Sequence, residues 1–455
     1  MPAQPAETAR TAGPGAITWT DAARLRAAGV LAGMACGDAL GAPYEFGPPL
    51  AVTTVVDMCG GGSFGWKPGE WTDDTQMAVV ILQAAESAVA DGARLTDRLD
   101  DVVTGWVEWA RTATDVGAQT RTVLAEAAAH GRPTAATCTA AATALHARTG
   151  RSGGNGSLMR TAPVALAYLD DVDALAHAAR AVSDLTHHDP DAGDACVLWC
   201  AAIRHAVLTG ELDVLVGLDL LPAERRTRWT TLVAEAERRQ PAEFEHNGWV
   251  VEAFQAAWSA IVHSRQGESW RDDPDHLRRG LEAAVRGGRD TDTVAAIAGA
   301  LLGAHRGAMA VPERWSAVTH GWPGLGFSDL AARGALLARG MSAATPGSSA
   351  HDEALFEIER TWAGQYNGYD RLAGGVSELS RLLDPVQTET TLTGQIPDWA
   401  GTDLLRGWAF YLLRADRHGG GYGLARDGAM RGIWAEIMDA VRRHHQTGLE
   451  PVPEA

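Results

Sequence analysis

Two short segments of this 455-residue chain carry an unusual density of hard oxygen ligands. Thr72, Asp73 and Asp74 stand in "WTDDTQMAVVIL", just ahead of an apolar run. Asp290, Asp292 and Thr293 stand in "GGRDTDTVAAIAGALLG", more than 200 residues later and again ahead of an apolar run. Helix capping explains part of this. Asp and Thr are good N-caps, acids suit the positive end of a helix, and Asp73 with Gln76 has capping-box spacing. But one cap needs one side chain, and adjacent carboxylates repel unless a cation lies between them. Carboxylate and hydroxyl oxygens suit Mg²⁺, Mn²⁺ or Ca²⁺ rather than zinc. Four carboxylates and two hydroxyls exceed the needs of one Mg²⁺, which retains waters. They suit two ions sharing a carboxylate, an arrangement that clamps oxygens and activates water.

Three further segments hold chemistry-bearing residues. In "GGNGSLMRTAPVAL", the loop Gly153, Gly154, Asn155, Gly156 and Ser157 precedes a possible helix start. Free backbone amides there make an anion cradle; a turn with an N-cap serine is the plainer reading. In "SDLTHHDPDAG", Thr186, His187 and His188 precede a small-residue helix, though imidazole is not a preferred Mg²⁺ ligand. Ser63 in "GGSFG" satisfies G-x-S-x-G, and "HGGG" at 418–421 resembles a lipase oxyanion loop. Context opposes a serine hydrolase. "WKPGE" follows Ser63 rather than a helix, and the "HGGG" lies downstream where it should come first.

The elements that must position these residues read as helices. "TDAARLRAAGVLAGMACGDALG" places Gly29, Gly33, Gly37 and Gly41 at intervals of four, and Gly299, Gly303 and Gly307 repeat the device. Glycine costs about 1 kcal/mol in a helix interior. The stripes therefore predict two central helices whose backbones approach closely. Further helices are expected over Gln76–Asp91, Arg98–Ala113, Gly117–Gly131, Cys138–Arg148, Asp171–Ser183, Asp191–Thr209 and Gly248–Val262. "LAVTTVVDM" is the best strand candidate. One strand does not make a sheet-based fold, so the class is all-α.

The composition narrows the function. A net charge of −18 opposes nucleic-acid binding through a basic face and a polybasic membrane anchor. The five cysteines are sparse, odd in number and without a CxxC; Cys196 and Cys200 share a helical face but have no nearby soft ligands for zinc. No secretory signal or membrane-length apolar run is visible, so a cytoplasmic protein is expected. Residues 1–19 read as a flexible tail and 20–341 as the main domain. Residues 342–353 read as a linker and 354–455 as a C-terminal helical extension with its own tryptophans and tyrosines.

The segments "GMACGDALGAPYEF", "GEWTDDTQMA", "DVGAQT", "GNGSLMR", "LTH" and "DTDTVAAIAGALLGA" occur in that order. Together they resemble the ADP-ribosylglycohydrolase family, over roughly Thr20 to Arg339. The resemblance implies an all-α orthogonal helical bundle with two Mg²⁺ (or Mn²⁺) ions. It implies metal ligands at Thr72, Asp73, Asp74, Asp290, Asp292 and Thr293, with Asp292 as the bridge. Glu45, Asp290 and Asp292 become the candidate catalytic carboxylates. Gly154, Asn155, Gly156 and Ser157 become the diphosphate and ribose loop, and His187 lies near the ADP-ribose pocket. The implied reaction is hydrolysis of the bond between ADP-ribose and a modified side chain, arginine before serine. The partner would be an ADP-ribosylated protein or small molecule. A relative stripped of ligands would bind ADP-ribose without cutting it; all six ligand positions are retained here. One departure stands out: relatives usually read Gly-Asp or Asn-Asp before the second cluster, and this chain reads Arg289-Asp290.

Overall fold

The structure is a computed structural model that describes residues 21–129, 131–266 and 273–340. The expected N-terminal tail, linker, C-terminal extension and "HGGG" segment lie outside these residues. Among the described residues the chain forms fourteen α-helices and one two-stranded hairpin. The first seven helices are α1 (Asp21–Gly41), α2 (Asp73–Ala90), α3 (Leu99–Ala110), α4 (Ala118–Ala128), α5 (Ala135–Thr149), α6 (Ala162–Ala167) and α7 (Val172–Asp184). There follow α8 (Pro190–Thr209), α9 (Ala223–Ala236), α10 (Val250–His263), α11 (His276–Arg286), α12 (Thr291–Arg306), α13 (Glu313–Ser316) and α14 (Phe327–Ala338). No described helix is long and apolar enough to cross a membrane.

The glycine stripes become an antiparallel seam between α1 and α12. A Cβ added at Gly29 would lie 2.2 Å from the Gly303 carbonyl oxygen, and one at Gly33 would lie 2.4 Å from that of Gly299. One at Gly37 would lie 2.0 Å from the Ala295 oxygen, and one at Gly41 2.4 Å from the Asp292 amide nitrogen. Every step of the seam is backbone against backbone, so no side chain can swing aside. The Thr291 hydroxyl closes the end by donating to the Gly41 carbonyl at 2.8 Å. The seam thus brings the C-terminus of α1 to the N-terminus of α12.

Around this pair the remaining helices bury a continuous apolar core with six fully buried tryptophans. Each indole N–H finds an acceptor, as burial of a polar handle requires. Trp106 donates to the Met77 carbonyl, Trp109 to Gln76 Oε1 and Trp199 to the Ile297 carbonyl. Phe254 of α10 sits edge-on to Trp199 and Trp229, at 4.9 and 5.1 Å between centroids.

The expected strand over "LAVTTVVDM" does not form. Val52 and Val55 are 87% and 78% exposed, while the Leu50 amide and Thr54 carbonyl bond instead to Arg286 at the end of α11. Alternation without a neighbouring strand gives a loop. The hairpin forms elsewhere, between β1 (His320–Gly321) and β2 (Leu325–Gly326). Helices α9, α11 and α14 were not expected. In α11 the buried Leu277, Leu281, Ala284 and Val285 have helical spacing that was legible. In α9 only Trp229, Val233 and Ala236 are buried, a face too thin to stand out among its charges.

The seam makes a test of opposite sign to the usual glycine rule. Gly→Ala in an exposed helix stabilises by ~1 kcal/mol. Gly33→Ala should instead destabilise by about 3 kcal/mol or more, because the added methyl meets an immovable carbonyl. The shift in urea midpoint measures it.

Candidate metal centre

The seam positions the two acidic segments, and a third element joins them. Asp38 lies on α1, fully buried and one turn before Gly41. Its Oδ1 accepts from the Thr72 amide at 2.8 Å; its Oδ2 accepts from the Thr75 amide at 2.9 Å and the Thr75 hydroxyl at 2.6 Å. The N-terminus of α2 is therefore capped from another helix. Thr72 is the N-cap residue but makes no side-chain capping bond, and Gln76 is turned to the Trp71 carbonyl and Trp109. The capping-box reading of Asp73 and Gln76 fails, which leaves Asp73 and Asp74 for another purpose.

Carboxylate oxygens converge in two groups. Asp38, Asp74 and Asp292 bring one oxygen each within 4.8 Å of one another, and so do Glu45, Asp290 and Asp292. Asp292 belongs to both. The hydroxyls sit among them: Thr72 Oγ1 lies 3.2 Å from Asp74 Oδ2 and 3.4 Å from Asp292 Oδ2, and Thr293 Oγ1 lies 3.4 Å from Asp74 Oδ2. Asn155 donates to Asp290 Oδ2 at 2.8 Å and to the Asn247 carbonyl at 2.9 Å. Asn247 in turn accepts from the Asp290 amide at 3.2 Å.

The electrostatics of these acids call for a cation. None of Asp38, Glu45, Asp73, Asp74, Asp290 and Asp292 forms an ion pair among the described residues. Burial, then mutual repulsion, pushes Asp73, Asp74 and Asp292 well above the usual carboxylate range. Burial and the Asp290 charge push Glu45 up to about 9, and burial pushes Asp38 up to about 6. Asp290 is also raised by burial, against the hydrogen bond from Asn155. Among these acids, three buried oxygens have no hydrogen-bond partner within the described residues: Asp74 Oδ1, Asp292 Oδ1 and Glu45 Oε2. An unpaired buried acceptor costs about 1–3 kcal/mol, more when charged. Oxygen-only donors with free lone pairs and no counter-charge fit a hard divalent cation.

The other expected residues fall beside this cluster. Gly154 and Gly156 line the ring of His187; a Cβ at Gly156 would lie 3.0 Å from its Cε1. Asn155 is turned to Asp290, and the buried Ser157 hydroxyl accepts from the Cys196 thiol at 3.6 Å. Arg289 is half-buried; its guanidinium donates to the carbonyls of Ala242 and Gly287 and lies 4.0 Å from the Glu245 carboxylate. Sequence reasoning gave no role to Asp38, Asn247 or Asp115. Asp38 had a signal, a lone acid between the stripe residues Gly37 and Gly41. Asp115, whose carboxyl is raised by burial and by Asp290, stands in "DVGAQT". Ser63 is exposed on a turn and bonds to no histidine or acid among the described residues.

Comparison with known proteins identifies the family and the fold. The sequence profile of the ADP-ribosylglycohydrolase family matches residues 20–347. The chain belongs to that family. It is 29% identical over 330 residues to the ADP-ribosylarginine hydrolase Tri1 of Pseudomonas putida (strain GB-1), covering 69% of this chain and 80% of that protein. It is 27% identical over 296 residues to the ADP-ribosyl-[dinitrogen reductase] glycohydrolase of Rhodospirillum rubrum, covering 64% and 88%. A solved structure titled ADP-ribosylglycohydrolase-related protein complex superposes with a TM-score of 0.55 at 29% identity, covering 70% of this chain and 99% of that one. This glycohydrolase is thus an all-α enzyme that cleaves glycosyl bonds to ADP-ribose.

Two substitutions test the site. Asn155→Ala frees Asp290 to rotate, and groups that orient metal ligands are typically worth ~10–100-fold in affinity. Mn²⁺ binding followed by calorimetry should weaken by about that factor. Ser63→Ala should leave turnover within about twofold of the parent; surface changes of this kind have little effect. Fluorophosphonate labelling of Ser63 with loss of turnover would reinstate the serine-hydrolase reading.

Proposed function

We propose that this glycohydrolase uses two hard divalent ions, Mg²⁺ or Mn²⁺, to hydrolyse ADP-ribose from arginine side chains. One observation carries the reading: Asp292 belongs to both carboxylate groups, and its Oδ1 is buried without a partner. Asp38 and Asp74 complete one group, and Glu45 and Asp290 the other, with the Thr72 and Thr293 hydroxyls beside Asp74. Asp73 and Asp38 add their charge to the same buried region. When bound, such ions hold the distal ribose hydroxyls and polarise a water.

The chain's own residues supply the rest. The Gly154–Ser157 loop and His187 hold the ribose and diphosphate, which fixes C1″ beside the acids and removes much of the entropic barrier. Glu45, through its unpartnered Oε2, takes the proton of the attacking water. The scissile C1″–N bond breaks through an oxocarbenium-like transition state, and the guanidine leaves. Arginine is favoured over serine because an acidic site with the half-buried Asp115 at its edge suits a cationic guanidinium. The name of the P. putida relative points the same way. Serine is the alternative linkage to be tested. A reducing compartment such as the cytoplasm suits the five cysteines, all of which are free.

Arginine-linked and serine-linked ADP-ribosyl peptides, incubated separately with the full chain and Mg²⁺, decide the linkage. ADP-ribose should be released from the arginine peptide, and EDTA should abolish the release. Release from serine alone would overturn the linkage, and full activity after rigorous chelation would overturn the metals. The shared ligand makes a sharper test. Asp292→Ala removes an oxygen from both groups, Asp74→Ala from one. Turnover should fall by ~10³-fold or more in the first and by clearly less in the second. Elemental analysis should show loss of both ions only in Asp292→Ala. A folded Asp292→Ala that binds two ions and turns over like the parent would return that aspartate to a capping role.

A further inference from the structure

Arg160 places a cation in the core of the fold. It is fully buried behind the Gly154–Ser157 loop, on the segment leading into α6. Among the described residues it forms no ion pair. Its guanidinium lies over the Trp106 ring at 3.9 Å, Nη1 donates to Met77 Sδ at 3.5 Å, and Nε has no partner. Its strongest contact runs toward the substrate loop. Nη2 donates to Thr186 Oγ1 at 2.6 Å, and Oγ1 lies 2.7 Å from His187 Nδ1. Burying a charge without a partner is costly, so this contact calls for a reason.

Proton counting supplies one. A guanidinium only donates, so Thr186 Oγ1 accepts from Arg160 and keeps one proton of its own. Thr186 is fully buried, and the one other group bonded to its hydroxyl is His187 Nδ1. If Nδ1 carried a hydrogen, the threonine proton would be stranded in the core. Nδ1 is therefore the acceptor, and the ring hydrogen sits on Nε2. A second charge on the imidazole is opposed by burial and then by Arg160, which hold His187 well below its usual range. Arg160 itself stays cationic near neutral pH, though burial pushes it down to about 9. The Thr186 backbone is fixed as well, since Gln119 Nε2 donates to its carbonyl at 3.0 Å.

The Nε2 end of the ring faces the loop. Cβ atoms built at Gly154 and Gly156 would stand 3.4 and 3.1 Å from it, so glycine at both positions leaves room beside it. His187 is 2% exposed; its one side-chain hydrogen bond among the described residues is made by Nδ1, which leaves Nε2 without one. We propose that Arg160 and Thr186 are positioning residues that lock His187 as a neutral Nε2–H donor, aimed through the gap between Gly154 and Gly156 at an acceptor oxygen of the substrate. The identity of that substrate as ADP-ribose rests on the function proposed above; the lock itself does not. His187 binds in this scheme as a fixed donor rather than as an acid or base, and no proton leaves it during turnover.

The test reads the lock directly. Long-range ¹H–¹⁵N spectra of the full chain labelled at histidine, with His187 assigned by comparison with His187→Gln, should show an Nε2–H tautomer at pH 7 without any ligand. An Nδ1–H tautomer or an imidazolium in the parent would overturn the proposal whatever the enzyme's activity. Thr186→Val removes the relay while nearly keeping shape. It should mix the tautomers of His187 and weaken ADP-ribose binding by about tenfold in calorimetry, while Thr186→Ser restores both. If Thr186→Val keeps the pure Nε2–H form and the parent affinity, the relay does not position the ring. If the variant fails to fold, the parent spectrum still decides. An inactive enzyme with a pure Nε2–H signal would refute the proposed reaction and leave the lock standing.

Discussion

Close approach of two backbones is the constraint on which the rest of this structure depends. The α1–α12 seam admits no side chain at Gly29, Gly33, Gly37, Gly299 or Gly303. Its consequence is felt at one end. Antiparallel packing at this distance sets Asp38, Gly41 and Glu45 against Thr291, Asp292 and Thr293, so residues some 250 positions apart share a few ångströms of space. A seam of ordinary width, with leucines or valines interleaved, would hold the helices 8–10 Å apart and separate the two acid groups. The helix propensity given up to glycine stabilises nothing directly; it sets the spacing of the carboxylates.

Asp38 then turns one seam into a three-helix junction. By capping α2 from α1, it fixes Thr72 and Asp74 to the same frame that holds Asp292. It occupies both oxygens with donors from Thr72 and Thr75, whereas Asp74 and Asp292 each keep a free buried oxygen. Three acids at the same depth thus differ: Asp38 satisfies two amides and a hydroxyl, while Asp74 and Asp292 each keep an oxygen without a donor. A folded state that crowds six acids without an ion pair stores unfavourable charge, which bound divalent ions would relieve. A divalent ion bound there would couple its own affinity to folding stability.

The gross architecture was legible because its signals are periodic. The glycine stripes, the apolar faces of α2, α8 and α10, and the paired acidic helix starts all survive as read. The strand over residues 50–58 failed because alternation describes one segment, while a strand needs a neighbour. The capping box at Asp73 failed because a cap can arrive from a distant helix, as Asp38 does. Pairings such as Asn155 with Asp290, or Thr186 with Arg160, join residues whose separation in sequence carries no period. Only their types gave a hint: a buried Asn in a glycine loop, and an arginine in an otherwise apolar stretch.

Arg289 shows how a departure from the usual pattern can be absorbed without touching the chemistry. Its backbone is left-handed, with φ of 65°, and so is that of Phe46, at 64°. Glycine and asparagine enter this region readily; a long side chain does so at a cost of ~1–2 kcal/mol. The two residues flank a short antiparallel bridge, in which the Phe46 amide donates to the Arg289 carbonyl at 2.6 Å and the Arg289 amide to the Gly47 carbonyl at 2.7 Å. That bridge ties the segment carrying Glu45 to the residue before Asp290. The guanidinium offsets part of the strain by its bonds to the Ala242 and Gly287 carbonyls. Glycine or asparagine at this position would satisfy the same backbone demand with less strain. At this dihedral angle the arginine replaces conformational ease with two hydrogen bonds, and the carboxylate of Asp290 beside it keeps its bond to Asn155.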